Sequence, residues 1–333
     1  MAKLIIPGFW YKNGSSYLSK IIIYALLPIS YAYRFVTHLR QAMTFTRKSP
    51  VPVICIGNMT MGGAGKTPVA RAILKNVQKH GRFQSPCFLM RGYGGHLEGP
   101  VSVERSQHTV WDVGDEALMQ TRYAPVIVAR DRYEGAVFAR NSGYDMVIMD
   151  DGFQNPGIKK DLSFIVVDGG FAFGNGHVFP AGPLREPLKR GLKRATAAIV
   201  INPKTGSYPD NLGILKQFSA SINAHNPKLN LADRTIIAFA GIGRPKKFFD
   251  SLENMGYNLY AHYAYPDHHI YTHDELTQIT QVAKTNSLSV ITTEKDWVRL
   301  SAKWQQKISY LSIDIDFDDN FEQYLFQKLD KLP

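Results

Sequence analysis

One stretch of the chain, Val51 to Leu74, restricts the possible folds more than any other. Val51-Pro52-Val53-Ile54-Cys55-Ile56-Gly57 is an apolar, β-branched run that reads as a buried strand. Asn58-Met59-Thr60-Met61-Gly62-Gly63-Ala64-Gly65-Lys66-Thr67 is a glycine-rich turn, and Pro68-Val69-Ala70-Arg71-Ala72-Ile73-Leu74 continues at helical spacing. Strand, glycine turn and Gly-Lys-Thr entering a helix describe a phosphate-binding P-loop. Glycines let backbone N–H groups turn inward, and the helix start adds its dipole, so Thr60, Met61, Gly62, Gly63, Ala64, Gly65, Lys66 and Thr67 form the expected nucleotide cradle. Lys66 supplies a mobile charge for the outer phosphates, and the Thr67 hydroxyl is placed to ligate Mg²⁺. Pro68 suits a first helical turn, where no N–H is needed. One position departs from the usual pattern: Thr60 stands where a glycine is expected, five residues before Gly65.

Further apolar runs follow at intervals that leave room for helices: Cys87–Met90, Val126–Ala129, Met146–Met149, Phe164–Val167 and Ala197–Ile201. Such alternation predicts an α/β fold, a P-loop NTPase (RecA-like) parallel sheet covered by helices. The run at 146–149 ends in Asp150-Asp151-Gly152-Phe153-Gln154, acids at the carboxyl end of a buried strand, where P-loop proteins hold Mg²⁺. Past residue 202 the composition turns to Pro, Ser, Asn and Gly with one weak helical pattern, Leu212–Ser221, and this reads as a connection. A second, smaller α/β unit is expected beyond it, with strands at Thr235–Ala240, Leu259–Tyr263, Ser289–Thr292 and Ile308–Ile313. Helical patterns at Lys246–Met255, His273–Thr285 and Trp297–Lys303 separate those strands. The expected divisions are an N-terminal helix segment at 1–42, the P-loop unit at 43–205, a linker at 206–234 and the smaller unit at 235–333.

Charge is unevenly spread. The first 97 residues hold thirteen Lys and Arg and no Asp or Glu, although the whole chain of 333 residues is only +11. A basic end points to nucleic acid, anionic lipid or a phosphorylated substrate. Within it, Leu18, Ile22, Ala25, Ile29, Ala32, Val36 and Leu39 recur at helical spacing, flanked by Trp10, Tyr11, Tyr24, Tyr31, Lys12, Lys20, Arg34 and Arg40. The uncharged core, Ile21–Tyr33, is short for a membrane span and contains Pro28, so a helix lying at an anionic membrane surface is expected. Cys55 and Cys87 sit in apolar runs and form neither a disulfide framework nor a metal set, which fits a reducing compartment. Asp267-His268-His269 suggests a metal at first sight, but adjacent histidines rarely share one ion.

Taken together, Gly57-Asn58, Gly62-Gly63-Ala64-Gly65-Lys66-Thr67-Pro68, Arg91-Gly92-Tyr93-Gly94, Gly114-Asp115-Glu116, Asp150-Asp151-Gly152-Phe153-Gln154, Gly182-Pro183-Leu184-Arg185-Glu186 and Asp267-His268 resemble the tetraacyldisaccharide 4′-kinase (lipid A 4′-kinase) family. The resemblance spans roughly residues 10–300, and Thr60 fits it, because that family carries a hydroxyl residue there. It implies transfer of the γ-phosphate of ATP, with Mg²⁺, to the 4′-hydroxyl of an acylated glucosamine disaccharide 1-phosphate. The setting it implies is the cytoplasmic face of the bacterial inner membrane, with a peripheral or monotopic monomer and no nucleic-acid partner. It also makes Asp115 the base, His268 its partner from the second unit, and Lys66 the phosphate-following charge. Thr67, Asp150, Asp151 and Glu116 fall on the metal side, and Arg91, Tyr93, Arg185 and Glu186 on the substrate or phosphate side. Since the dyad spans two units, domain closure is expected to complete it. The alternative, a membrane-recruited regulatory P-loop ATPase of the partition or site-selection kind, needs a lysine where this chain has Met61.

Overall fold

The computed structural model describes residues 7–11, 16–203, 209–225 and 234–333. After α1 (Tyr17–Met43), β1 (Val53–Gly57) feeds α2 (Lys66–His80), followed by β2 (Pro86–Met90), β3 (Val101–Ser102), α3 (Val110–Val113) and α4 (Asp115–Gln120). Then come β4 (Val126–Val128), α5 (Arg132–Asn141), β5 (Met146–Asp150), β6 (Leu162–Asp168), α6 (Leu188–Leu192) and β7 (Ala197–Ile201). The rest comprises β8 (Gln217–His225), β9 (Thr235–Ala240), α7 (Pro245–Asn254), β10 (Asn258–Ala264) and α8 (His273–Thr285). It ends with β11 (Ser289–Thr293), α9 (Glu294–Trp297), α10 (Ala302–Gln305), β12 (Ser309–Phe317) and α11 (Asp319–Leu329).

The twelve strands among the described residues join one sheet in the order β10-β9-β11-β12-β8-β7-β6-β1-β5-β2-β4-β3. Pairing is parallel except where β12 meets β8 and β3 meets β4. Along β1, Ile54 and Ile56 face a core shared with α2 and α11, whereas Val53 and Cys55 face one shared with α5, the period-two signature of a strand buried on both sides. In the smaller half, Ile237 and Phe239 pack against Leu276 and Ile279 of α8, while Ile236, Ala238 and Ala240 pack against Phe248 and Phe249 of α7. Burial pushes the Cys55 and Cys87 thiols up to about 12, so both are inert core residues.

Two expectations are corrected. The weak helix expected at 212–221 is not a helix: a short turn, Asp210–Leu212, precedes β8. Phe218, Ala220 and Ile222 alternate with Ser219, Ser221 and Asn223, and this short period of two wins because β8 has β7 and β12 to pair with. Part of the expected linker is therefore the strand that continues the sheet from one half into the other; residues 204–208 and 226–233 of it lie outside the described residues. The single helix expected at Trp297–Lys303 is two short ones, α9 and α10, each restarting after its own cap, Thr293 and Ser301.

The N-terminal helix is longer than its pattern suggested and continues through Pro28. Its seat is narrow. Ser30 Oγ donates to the Val178 carbonyl at 2.9 Å and accepts from the Ala181 N–H at 3.0 Å, and Tyr33 meets Phe179 edge-on. Only Ile23 and Ser30 of α1 are fully buried, and Tyr17, Leu18, Tyr24, Ile29, Tyr31, Phe35, Val36 and Met43 face outward. Among the described residues no helix is long and apolar enough to cross a membrane.

Candidate active site

The carboxyl ends of β1 and β5 lie side by side, with Ile56 opposite Asp150, so the glycine turn and the paired acids open onto one edge of the sheet. The turn itself needs its glycines. Gly65 is left-handed at φ 83°, and a Cβ there would come within 2.6 Å of Ile201 Cδ1. The segment 182–186 runs along the other side of the turn: Met61 N–H donates to Pro183 O at 2.7 Å and Arg185 N–H to Met59 O at 2.8 Å. Thr60, the unusual residue, takes part in this pairing through its bridge to Leu184, and its carbonyl accepts from Arg185 Nε at 3.2 Å.

Charge at this edge is organised around Asp150 and Asp151. Asp151 is exposed, left-handed at φ 55°, and held by Arg185 Nη1 at 3.0 Å and Lys66 Nζ at 3.6 Å. Asp150 is buried, and neither of its oxygens has a hydrogen-bond partner among the described residues. Burial, reinforced by the charge of Glu116 and only partly offset by Lys66, pushes its carboxyl up to about 7. An orphaned buried carboxylate repelled by a second acid, beside the Thr67 helix start, is the environment that a divalent cation relieves, so Asp150, Thr67 and Glu116 fit Mg²⁺. Asp151, by contrast, is tied to two cations, Lys66 and Arg185. Glu116 also accepts from Lys295 at 3.2 Å.

Asp115 opens α4 after Gly114, whose φ of 84° and close approach to the Tyr93 carbonyl, 2.3 Å from a would-be Cβ, exclude any side chain. This carboxylate is buried and fully engaged. Oδ1 accepts from the Glu116 N–H at 2.8 Å. Oδ2 accepts from His268 Nδ1 at 2.9 Å and Arg299 Nε at 2.9 Å, and also from Arg299 Nη2. Burial pushes the Asp115 carboxyl up, but the His268 hydrogen bond and the charges of Lys295 and Arg299 outweigh it and hold the group well below the usual carboxylate range. His268, left-handed at φ 59°, has Nε2 3.8 Å from the Asp267 carboxylate, with the exposed Tyr93 ring at 6.0 Å. The two halves of the chain are thus already in contact at the dyad.

Of the remaining expected residues, Arg91 and Tyr93 lie on the exposed rim near His268 and Arg132. Glu186 is buried, receives Gln154 Nε2 at 3.3 Å and Arg194, and braces the loop that carries Arg185. Arg299 and Arg132 were not anticipated. Arg299 follows the Thr292-Thr293-Glu294-Lys295-Asp296 cluster, but nothing local marks its partner 184 residues away. Arg132 is buried, has an unpartnered Nε among the described residues, and is lowered to about 10 by burial and then by Arg91. It lines a cavity of about 530 Å³ that also takes in Arg40, Phe45, Arg47 and Arg130 at the end of α1.

A glycine loop opening α2, an adjoining acid strand and a charged dyad facing them define a P-loop phosphotransferase. The family model for LpxK, tetraacyldisaccharide-1-P 4′-kinase, matches residues 22–330, and the chain belongs to that family. The tetraacyldisaccharide 4′-kinase of Rhodopseudomonas palustris (strain BisB18) is 42% identical over 324 residues, covering 94% of this chain and 92% of that protein. That of Gluconacetobacter diazotrophicus is 40% identical and covers 98% of each. Among solved structures, LpxK from Aquifex aeolicus in complex with ATP superposes with a TM-score of 0.75 at 25% identity, covering 93% of this chain and 99% of that one.

Proposed function

We propose that this kinase moves the γ-phosphate of ATP onto the 4′-hydroxyl of an acylated disaccharide 1-phosphate, with His268 Nε2 as the acceptor of the hydroxyl proton. The observation that carries this assignment is the saturation of Asp115, whose two oxygens already accept four hydrogen bonds, leaving His268 Nε2, 3.8 Å from the Asp267 carboxylate and in no hydrogen bond among the described residues, as the available nitrogen. This exchanges the roles expected from the motif: Asp115 orients the ring, fixes its tautomer through Nδ1 and balances the charge formed at proton transfer, and His268 does the proton chemistry. Lys66 follows the transferring phosphoryl group, and Arg185 keeps Asp151 turned toward Lys66. Thr67, Asp150 and Glu116 would hold Mg²⁺, which when bound neutralises phosphate charge.

The acceptor enters from the α1 side in this reading. Arg132, a buried guanidinium with an unused Nε, and Arg40, which lines the same cavity, suit a sugar phosphate, while the outward apolar residues of α1 suit acyl chains and an anionic lipid surface. The setting is then the cytoplasmic face of the inner membrane, with the chain acting as a monomer. Transfer of labelled phosphate from ATP to the lipid acceptor in detergent tests this reading. His268→Ala should lose at least about a hundredfold in kcat while ATP binding persists. Near-parental transfer by His268→Ala would reject it.

A further inference from the structure

The segment after β11 carries four charged residues that the phosphate chemistry above does not use directly, and each reaches a different part of the molecule. Glu294 pairs with Arg71 of α2 at 2.6 Å, Lys295 with Glu116 at 3.2 Å, Asp296 with the Gly241 N–H at 3.0 Å, and Arg299 with Asp115 at 2.9 Å. The last is the most informative, because its guanidinium has a second end.

We propose that Arg299 is a positioning residue for phosphoryl transfer, one planar group holding both members of the Asp115–His268 pair. Its Nε and Nη2 grip Asp115 Oδ2, while Nη1 donates to the Gly241 carbonyl at 3.0 Å. That same carbonyl accepts the His268 backbone N–H at 3.1 Å. The carboxylate is held directly, and the histidine backbone through one shared oxygen. The backbone constraint matters because His268 sits at φ 59°, a conformation that a non-glycine residue keeps only where its surroundings impose it.

The bracket is itself rigid. Asp296 is fully buried and accepts from Arg299 Nη1 at 2.8 Å, Tyr271 Oη at 2.9 Å, Thr293 Oγ1 at 2.6 Å and the Gly241 N–H at 3.0 Å. Gly241 is thereby fixed at both its N–H and its carbonyl. Packing alone does not require a buried guanidinium here, since a charge sealed from water is costly unless its geometry is used. A lysine would reach one of these acceptors but not span both, because only the guanidinium fork presents donors in two directions at fixed angles.

This role rests on His268 as the proton acceptor, and the test separates the two. Arg299→Lys, Arg299→Gln and His268→Ala, and Arg299→Lys combined with His268→Ala, would be compared for kcat and for KM of ATP on the lipid acceptor. Arg299→Gln should lower kcat about a hundredfold with KM for ATP within about threefold of the parent. Arg299→Lys should recover about tenfold of that loss, and should change the residual rate of His268→Ala by less than about twofold. Equal costs of Arg299→Lys in both backgrounds, or a loss confined to KM for ATP, would overturn the proposal, and this cycle decides it even if Arg299→Gln does not fold. Near-parental activity of His268→Ala would overturn the proton-acceptor reading and this one with it. A crippled His268→Ala beside an indifferent Arg299→Lys would overturn the Arg299 role alone.

Discussion

The two longest helices, α1 and α2, use apolar residues in opposite ways. In α2, Val69, Ala70, Ile73, Leu74 and Val77 are sealed against the sheet, and its functional part is the first turn, where Lys66 and Thr67 meet the glycine loop. In α1, with 27 residues against 15, only Ile23 and Ser30 are sealed, and the seat is made by hydrogen bonds of a serine rather than by the apolar stripe. A helix whose apolar side is consumed by its own core positions chemistry. One whose apolar side is left over is available to a partner outside the chain.

The largest effect that would break this contrast is at the first turn of α2. Lys66→Ala should lose at least two orders of magnitude in kcat, since the charge it brings is needed most in the transition state. Activity near the parent would make the loop a turn and nothing more. Next is the anchorage of α2. Arg71 and Glu294 are 4% and 6% exposed, with Gln120 bound to Arg71 and with Tyr123 and Arg122 beside Glu294. Glu294→Gln leaves a buried guanidinium without its counter-charge and should cost about 3 kcal/mol in denaturant unfolding; a cost below about 1 kcal/mol would mean that the halves are held elsewhere.

For α1 the expectation is reversed, with little change in stability and a clear change in lipid binding. Phe35 and Val36 are 66% and 63% exposed, so Phe35→Ser with Val36→Ser should leave unfolding within about 0.5 kcal/mol. The same pair should weaken cosedimentation with anionic vesicles by at least about thirtyfold, each side chain contributing about 1–2 kcal/mol of burial. Unchanged sedimentation would place membrane contact elsewhere, the basic Leu188–Arg194 stretch first. Deleting residues 1–39 is the blunter test, because it also removes the Ser30 contacts at Val178 and Ala181.

The smallest effect concerns the acid beside the start of α2. Asp150 has an ordinary value of 3.8 and is raised to about 7 in the folded chain, so between those values the native state holds a proton that the unfolded state has lost. Stability in metal-free buffer should therefore fall as pH rises from about 4 to about 7. Asp150→Asn should flatten that slope, and Mg²⁺ should raise the melting temperature more at pH 8 than at pH 6. A metal-free stability curve already flat across this range would remove Asp150 from the metal side.

What was legible in the sequence was what lies contiguous in it. The glycine loop, the Asp150-Asp151 strand end and the Asp267-His268 turn each announce themselves within a few residues, because local geometry and local chemistry coincide there. β8 was misread because the short alternation from Phe218 to Asn223 weighs little until β7 and β12 offer edges to pair with. Arg299 and Ser30 were invisible for a related reason, since each acts on a partner brought close only by the finished sheet. The dyad itself was anticipated, but the division of labour proposed for it rests on how many donors reach Asp115, and those donors come from three separate segments.

The most direct test of the account is single-turnover transfer of labelled phosphate to the lipid acceptor by Asp115→Asn, His268→Ala and the double variant. If Asp115 serves only to hold and balance His268, the double variant should be no slower than the slower single one, within about threefold, with ATP still bound. Losses that multiply across the two positions would contradict it, because Asp115 would then be contributing to transfer independently of the histidine.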